Sequence, residues 1–369
     1  MTDPRAARPE VRGGGDFAAL GVVVGHATDE GGATGLTVVR AATGGMRASA
    51  AVVGRATGTR DMQSLSPDHL VDRVDAIVLT GGSAYGLDAA AGVMRWMEER
   101  GRGFPVGPGV VPIVPAAVVY DLAPLGRFDA RPTPAMAYDA CERATGRAIA
   151  EGSVGAGTGT TVGKGAGGER AMKGGVGCAT ASAGDDTVGA LVVVNAFGDV
   201  RDAEGRILAG AHDLEGGWLD SARLAASGST LPRFADAAAR TAMGNTTLAV
   251  VATSAPLGRL ELAQVARAAT AALYRRITPA GTTFDGDVVF AVAPLDRGGP
   301  PQREVAKSAD AERHPSPASP AESSPLSPVE LMRFETLAVL ALEEAIERAV
   351  RLARGRDGVP GLADRMTAR

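Results

Sequence analysis

"TAMGNTTLAVVATSAPL", Thr241 to Leu257, sets two hydroxyl residues behind a Gly-Asn pair, where a long apolar run begins. Gly-Asn suits a turn and threonine suits the opening of a β-strand, so the segment predicts a turn leading into a buried strand. The same junction, Asn245 to Thr246, fits a chain that cuts itself. A threonine hydroxyl that attacks the preceding carbonyl shifts the peptide bond to an ester. Water opens the ester, and the threonine becomes a new N-terminus. Its freed amine, with a reference pKa of about 7.7 to 8.0, is then a built-in general base beside the nucleophile.

The rest of the chain narrows the choice. Its 369 residues are 45% hydrophobic and 22% charged, enough to bury a full core. A net charge of -4 and only 4% aromatic residues give no electrostatic or stacking footprint for nucleic acid. The N-terminus has no apolar core of signal-peptide length and no run reaches the length of a membrane span, so a cytoplasmic location and no membrane partner are expected. Residues 1–15 read as a disordered tail. Cys141 and Cys178 are too few for a disulfide framework and are read as small buried residues.

The 50 glycines cluster between short β-branched runs, which predicts a sheet-rich core joined by tight turns. Strands are expected at Val74–Thr80, at "GALVVVNAFGDV" ending near Asn195, from Thr246 onward, and at "FDGDVVFAVAP". Ser83 is read as the N-cap of an Ala-rich helix that ends at Gly101. "ELAQVARAATAALYRRI" and Val329–Arg354 have helical spacing, the latter with an apolar face of Leu331, Phe334, Ala338, Leu342 and Ile346. Residues 298–328, rich in Pro, Ser and charge, read as a disordered insertion.

Several familiar chemistries fail on spacing. "VGAGTGTTVGKG" has Thr158 where a phosphate loop needs glycine, and Gly165 where it needs Ser or Thr after Lys164. "GGSAYG" has Tyr85 where a nucleophile elbow needs glycine. His26, His69, His212 and His314 show no paired spacing for a metal, and no cofactor is expected. A self-processing threonine needs a cation to tune its amine, carboxylates to orient it and a neutral donor for the oxyanion. Lys164, the pair Asp285 and Asp287, and Asn195 could supply them. Two apart on an extended segment, the two aspartates project on one face; a solvated "DGD" turn is the alternative.

The ordered blocks "GHATD", "DAIVLTGGSAYGLDAAAGVMRWMEERGRGFPVG", "VPIVPAAVVYDL", "VGAGTGTTVGK", "MKGGVGCAT", "VVVNAFGDV", "GNTTLAVVAT" and "TTFDGDVVFAVAP" strongly resemble the DmpA family of self-processing aminopeptidases and amidases. The resemblance covers roughly residues 21–294 and is nearest the branch, including nylon-oligomer hydrolases, that cuts at Asn-Thr. It implies an α+β fold, a four-layer α-β-β-α sandwich, and cleavage into an α-chain part, 16–245, and a β-chain part, 246–297 with 329–369, that stay together. It also implies a homo-oligomer of such pairs and a small peptide or amide substrate. Matched by motif, Thr246 takes the nucleophile position, Lys164 the lysine after the Gly-rich loop, Asn195 the asparagine ending its strand, Asp285 and Asp287 the paired carboxylates, and Tyr120 a substrate-site tyrosine. Thr247 is expected on the opposite face of its strand. Lys173, outside the matched motif, is expected to play no part in the chemistry. Ser254 stands where an aspartate is expected, which leaves substrate preference open. An acyltransferase on the same fold, as in ornithine acetyltransferases, and a binding protein without turnover are the alternatives.

Overall fold

A computed structural model describes residues 8–228, 244–295 and 326–366. The segment quoted above becomes a strand, Thr246–Thr253 (β16), inside a six-stranded sheet. Asp186–Asn195 (β13) pairs with it antiparallel and Val288–Pro294 (β18) pairs parallel. Gly175–Ala183 (β12) and Glu10–Gly13 (β1) extend the sheet beyond β13, and Met46–Val52 (β4) lies beyond β18. Side chains alternate along β16: Leu248, Val250 and Ala252 enter one buried cluster, Ala249 and Val251 another. A strand buried on both faces reads as an unbroken apolar run, which is why this one was legible.

The Leu248 face packs against a second sheet of Val22–Asp29 (β2), Thr34–Ala41 (β3), Ala76–Thr80 (β6), Ala116–Val118 (β9) and Thr59–Arg60 (β5), through Val24, Val39, Ile77 and Leu79. Ala90–Glu98 (α1) and Pro134–Glu142 (α2) cover that sheet's outer face, with Val93, Trp96 and Met97 set on Leu36, Val38 and Val78. Arg259–Arg276 (α4) and Pro328–Arg351 (α5) cover the outer face of the first sheet. Three apolar layers therefore separate four structural ones, the α-β-β-α sandwich expected. Smaller pieces complete the chain: Phe104–Pro105 (β7) with Val110–Val111 (β8); Thr161–Val162 (β10) with Met172–Lys173 (β11); Asp199–Arg201 (β14) between Ile207–Ala209 (β15) and Ile277–Thr278 (β17); and the short helices Ser221–Ala226 (α3) and Leu362–Met366 (α6).

Some expectations need correcting. Part of the stretch read as a disordered tail is β1, an edge strand paired to β12 from Glu10↔Ser182 to Gly13↔Ala179. All four of its residues are exposed, so backbone pairing holds it, without an apolar pattern for the sequence to show. Residues 1–7 lie outside the described residues. Ser83 is not an N-cap: it opens a 3-10 stretch at a φ of 53°, after Gly82, and the cap position of the α-helix is Ala89. The α-helix proper starts at Ala90. The insertion expected at 298–328 lies outside the described residues up to 325, and its last two residues are the N-cap and the first residue of α5. Ser327 caps α5, accepting from the Glu330 amide at 3.3 Å while the Glu330 carboxylate accepts from the Ser327 amide at 2.8 Å. Cys141 and Cys178 are buried and free, as expected. Among the described residues no helix is long and apolar enough to cross a membrane.

Candidate active site

The site lies at one end of the layer between the two sheets, where β13 stops and β16 starts. Asn195 and Thr246 are register partners, so their side chains stand on the same face of the sheet. The chain entering from Gly244 is buried, and Gly244 is pressed against Tyr120 so closely that a Cβ there would come within 2.2 Å of the ring. This fixes glycine at 244.

Two groups converge on the carbonyl oxygen between Asn245 and Thr246. The Thr246 hydroxyl donates to it at 2.6 Å, and the Gly286 backbone N–H donates at 2.8 Å. Asn245 and Asp285 form a parallel bridge that brings the "DGD" segment to this point. The carbonyl is thus polarised by a backbone donor while the hydroxyl sits against it. Gly286 was not singled out from the sequence. Its signal was the glycine between two aspartates: a Cβ there would lie 2.8 Å from the Thr246 Oγ and 2.6 Å from the Ala56 oxygen.

Lys164 and Asn195 meet one residue upstream. The Lys164 Nζ donates to the Asn195 Oδ1 at 2.9 Å, the Asn195 carbonyl at 3.1 Å and the Gly244 carbonyl at 3.4 Å. The Asn195 Nδ2 donates to the carbonyls of Gly244 at 3.0 Å and Tyr120 at 2.9 Å. Asn195 therefore serves the Gly244 carbonyl, and Gly286 serves the Asn245 carbonyl that follows it. Burial pushes the Lys164 ammonium down to about 7; the Asp285 charge opposes this and the Lys173 charge adds to it.

The aspartates divide the remaining work. Asp287 accepts from the Thr247 amide at 2.6 Å and the Gly281 amide at 3.2 Å, pinning the second residue of β16. Burial first, and the Asp285 charge second, raise its carboxyl above the usual range, while bonds from Thr247 oppose the rise. Asp285 accepts from the Thr282 amide at 2.7 Å, and its carbonyl accepts from Ala56 at 2.9 Å. Tyr120 is half-buried and contributes ring and carbonyl together; burial, then Asp121, raises its phenol. Every residue singled out for the site is brought into this one constellation.

Other candidates fall away from it. His26 is buried, held by the Thr37 hydroxyl at 2.9 Å and pushed down to about 4 by burial. Ser254 stands just past the far end of β16, about 25 Å from Thr246 at roughly 3.3 Å per residue, where its hydroxyl accepts from the Thr187 amide at 3.0 Å. Its identity bears on the sheet end. Lys173, expected to play no part in the chemistry, is buried, and its ammonium donates to three backbone carbonyls of the Gly-rich loop.

A sandwich of this layering is shared by solved structures of the N-terminal-nucleophile (Ntn) hydrolase fold. The l-aminopeptidase d-Ala-esterase/amidase of Ochrobactrum anthropi, described as a variant of that fold, superimposes with a TM-score of 0.64 at 21% identity, over 96% of this chain and 94% of the other. Residues 19–363 match peptidase family S58, and the chain belongs to that family. An uncharacterized aminopeptidase of Mycobacterium leprae is 45% identical over 250 residues, and the match spans 65% of each chain. A 6-aminohexanoate-oligomer endohydrolase of a Kocuria species is 33% identical over 315 residues, 78% of this chain and 82% of that protein.

Proposed function

We propose that this chain is the precursor of an N-terminal-threonine amide hydrolase that cuts itself between Asn245 and Thr246. The observation that carries the reading is the Asn245 carbonyl oxygen, 2.6 Å from the Thr246 hydroxyl and 2.8 Å from the Gly286 amide. On this reading the hydroxyl adds to the Asn245 carbonyl carbon, the Gly286 N–H takes the developing negative charge, and the Thr246 nitrogen leaves as an amine, giving an ester that water opens. The amine then serves as base for turnover: the Thr246 oxygen attacks a substrate amide, the leaving amine departs, and water releases the acyl group. Departure of Gly244 and Asn245 frees the Asn195 Nδ2 and the Lys164 Nζ to face substrate. Peptides, amino acid amides and short oligoamides are the substrate class, in keeping with the aminopeptidase and oligomer-hydrolase names of relatives.

The test is direct. Purified protein should show chains of about 25 and 12 kDa, from 245 and 124 of the 369 residues of a 37.2 kDa chain, and the smaller should begin Thr-Thr-Leu-Ala by Edman sequencing. Thr246→Ala should give one folded chain without amidase activity on a panel of aminoacyl p-nitroanilides and β-peptides. A start at Thr247, or a folded wild-type chain that stays whole, overturns the reading. Running the panel with acceptor amines separates hydrolysis from acyl transfer.

A further inference from the structure

The Gly-rich loop holds a second buried ammonium that neither the resemblance nor the self-cleavage chemistry uses. Lys173 lies on β11, opposite Thr161 on β10. Its Nζ donates to the carbonyls of Gly157 at 3.2 Å, Thr158 at 3.0 Å and Thr160 at 2.7 Å. An ammonium has three protons and no acceptor capacity, so these three carbonyls saturate it. The next residue along the loop, Thr161, gives its backbone N–H to the Asn195 Oδ1 at 3.0 Å.

The other side of the Asn195 amide is fixed from the same place. Its Nδ2 donates to the carbonyl of Tyr120, whose neighbour Asp121 is fully buried and accepts from the Thr34 hydroxyl at 2.6 Å and the Gly82 amide at 2.7 Å. Asp121 also packs on the loop, since a Cβ at Gly159 would come within 2.9 Å of its own. The charges of Lys173 and Asp121 act on one another. An amide side chain can flip, exchanging donor for acceptor. Here Thr161 N–H and Lys164 Nζ demand oxygen on one side, while the carbonyls of Tyr120 and Gly244 demand nitrogen on the other.

We propose that Lys173, with Asp121, is a positioning residue: it clamps the 157–160 turn so that Thr161 and Tyr120 hold the Asn195 amide with its Nδ2 toward the Gly244 carbonyl, one residue before the junction. This rests on the reading that Asn195 acts in the Thr246 site. Lys173 never touches substrate; beyond the effect of its charge on Lys164, its effect on rate passes through Asn195.

A double-mutant cycle tests that routing. Turnover of the best p-nitroanilide substrate is measured for wild type, Lys173→Met, Asn195→Ala and the double variant, each checked for a cooperative thermal transition. A misplacement near 1 Å costs about 100-fold. Lys173→Met should therefore lower kcat about 100-fold with KM changed less than about threefold, and in the Asn195→Ala background should cost less than about threefold more. Equal losses in both backgrounds, or a wild-type kcat in Lys173→Met, overturn the proposal. Should Lys173→Met not fold, Asp121→Asn replaces it in the same cycle with the same expectations. A wild-type rate in Asn195→Ala alone has a different meaning: the site reading itself fails, and the role of Lys173 falls with it.

Discussion

Replacing Lys164 with methionine should stabilise the fold most where the ammonium is most costly, and the size of the effect follows from its titration. Burial lowers the group from 10.5 to about 7. At about 1.4 kcal/mol for each tenfold change in proton affinity, the folded chain forgoes about 5 kcal/mol below pH 7 relative to strong alkali. The sign follows from proton counting. Between pH 7 and 10.5 the unfolded chain holds more protons on this lysine than the folded one, so stability rises with pH across that window. From pH 6.5 to 9.5 the rise is about 3 kcal/mol. Lys164→Met removes it. Methionine also removes donors from Asn195 and Gly244, at about 1 kcal/mol per hydrogen bond, so stability at a single pH is a poor test. The difference between two pH values is the diagnostic. Urea unfolding of Thr246→Ala and of Thr246→Ala with Lys164→Met, both uncut chains, at pH 6.5 and 9.5 would measure it. A pH dependence the same in both to within about 1 kcal/mol would refute the argument that Lys164 is held at a depressed pKa by burial.

Gly286→Ala should slow self-cleavage at least about tenfold while keeping native circular dichroism, because its methyl would crowd the Thr246 Oγ at 2.8 Å and the backbone oxygen of Ala56 at 2.6 Å; normal processing would remove Gly286 from the chemistry. The cut halves should stay together in native buffer, because β16 and β18 of the downstream piece lie between β13 and β4 of the upstream one, with registers running Val188–Asn195 on one side and Met46–Val52 on the other. Size exclusion of the processed protein should give one species carrying both bands, parted only by denaturant; two native peaks would contradict the interlock.

What was legible in the sequence was what repeats with a period or sits next to its partner in the chain. The apolar run after Thr246 and the helical spacing of α5 declared themselves because burial acts on every residue of those elements. The "DGD" pair declared itself because its two carboxylates are two residues apart. Lys164 and Asn195 were candidates by residue type and the resemblance gave them places and added Tyr120; the three lie 82, 51 and 126 positions before Thr246, and no spacing could have shown their convergence. Three features stayed hidden for different physical reasons. β1 is an edge strand without an apolar face. Gly286 works through a backbone N–H, and a backbone donor has no letter in the sequence. The burial of Lys173 had no signal in the sequence, because lysine is almost never fully buried unless its charge is met, and what meets it here is three carbonyls from a turn 13 to 16 residues earlier.

The position of Thr246 as the first residue of an inner strand also bears on why one hydroxyl could serve both reactions. A nucleophile generated by chain cleavage must keep its place after losing its upstream neighbour. Apart from the bond of its hydroxyl to the Asn245 carbonyl, what holds Thr246 lies downstream or across the sheet: its register partner is Asn195, and the next amide, that of Thr247, is bonded to Asp287 at 2.6 Å. The upstream side is held differently. Gly244 and Asn245 rest on Tyr120, Lys164, Asn195 and Gly286, side chains and a loop that belong to the site itself. On the proposed reading, a cut here releases the piece whose contacts are the donors assigned to substrate, and leaves in place the piece whose contacts are the sheet. A threonine two residues further into β16 would be walled in on both sides by strands; one two residues earlier would lose its footing once the bond was cut.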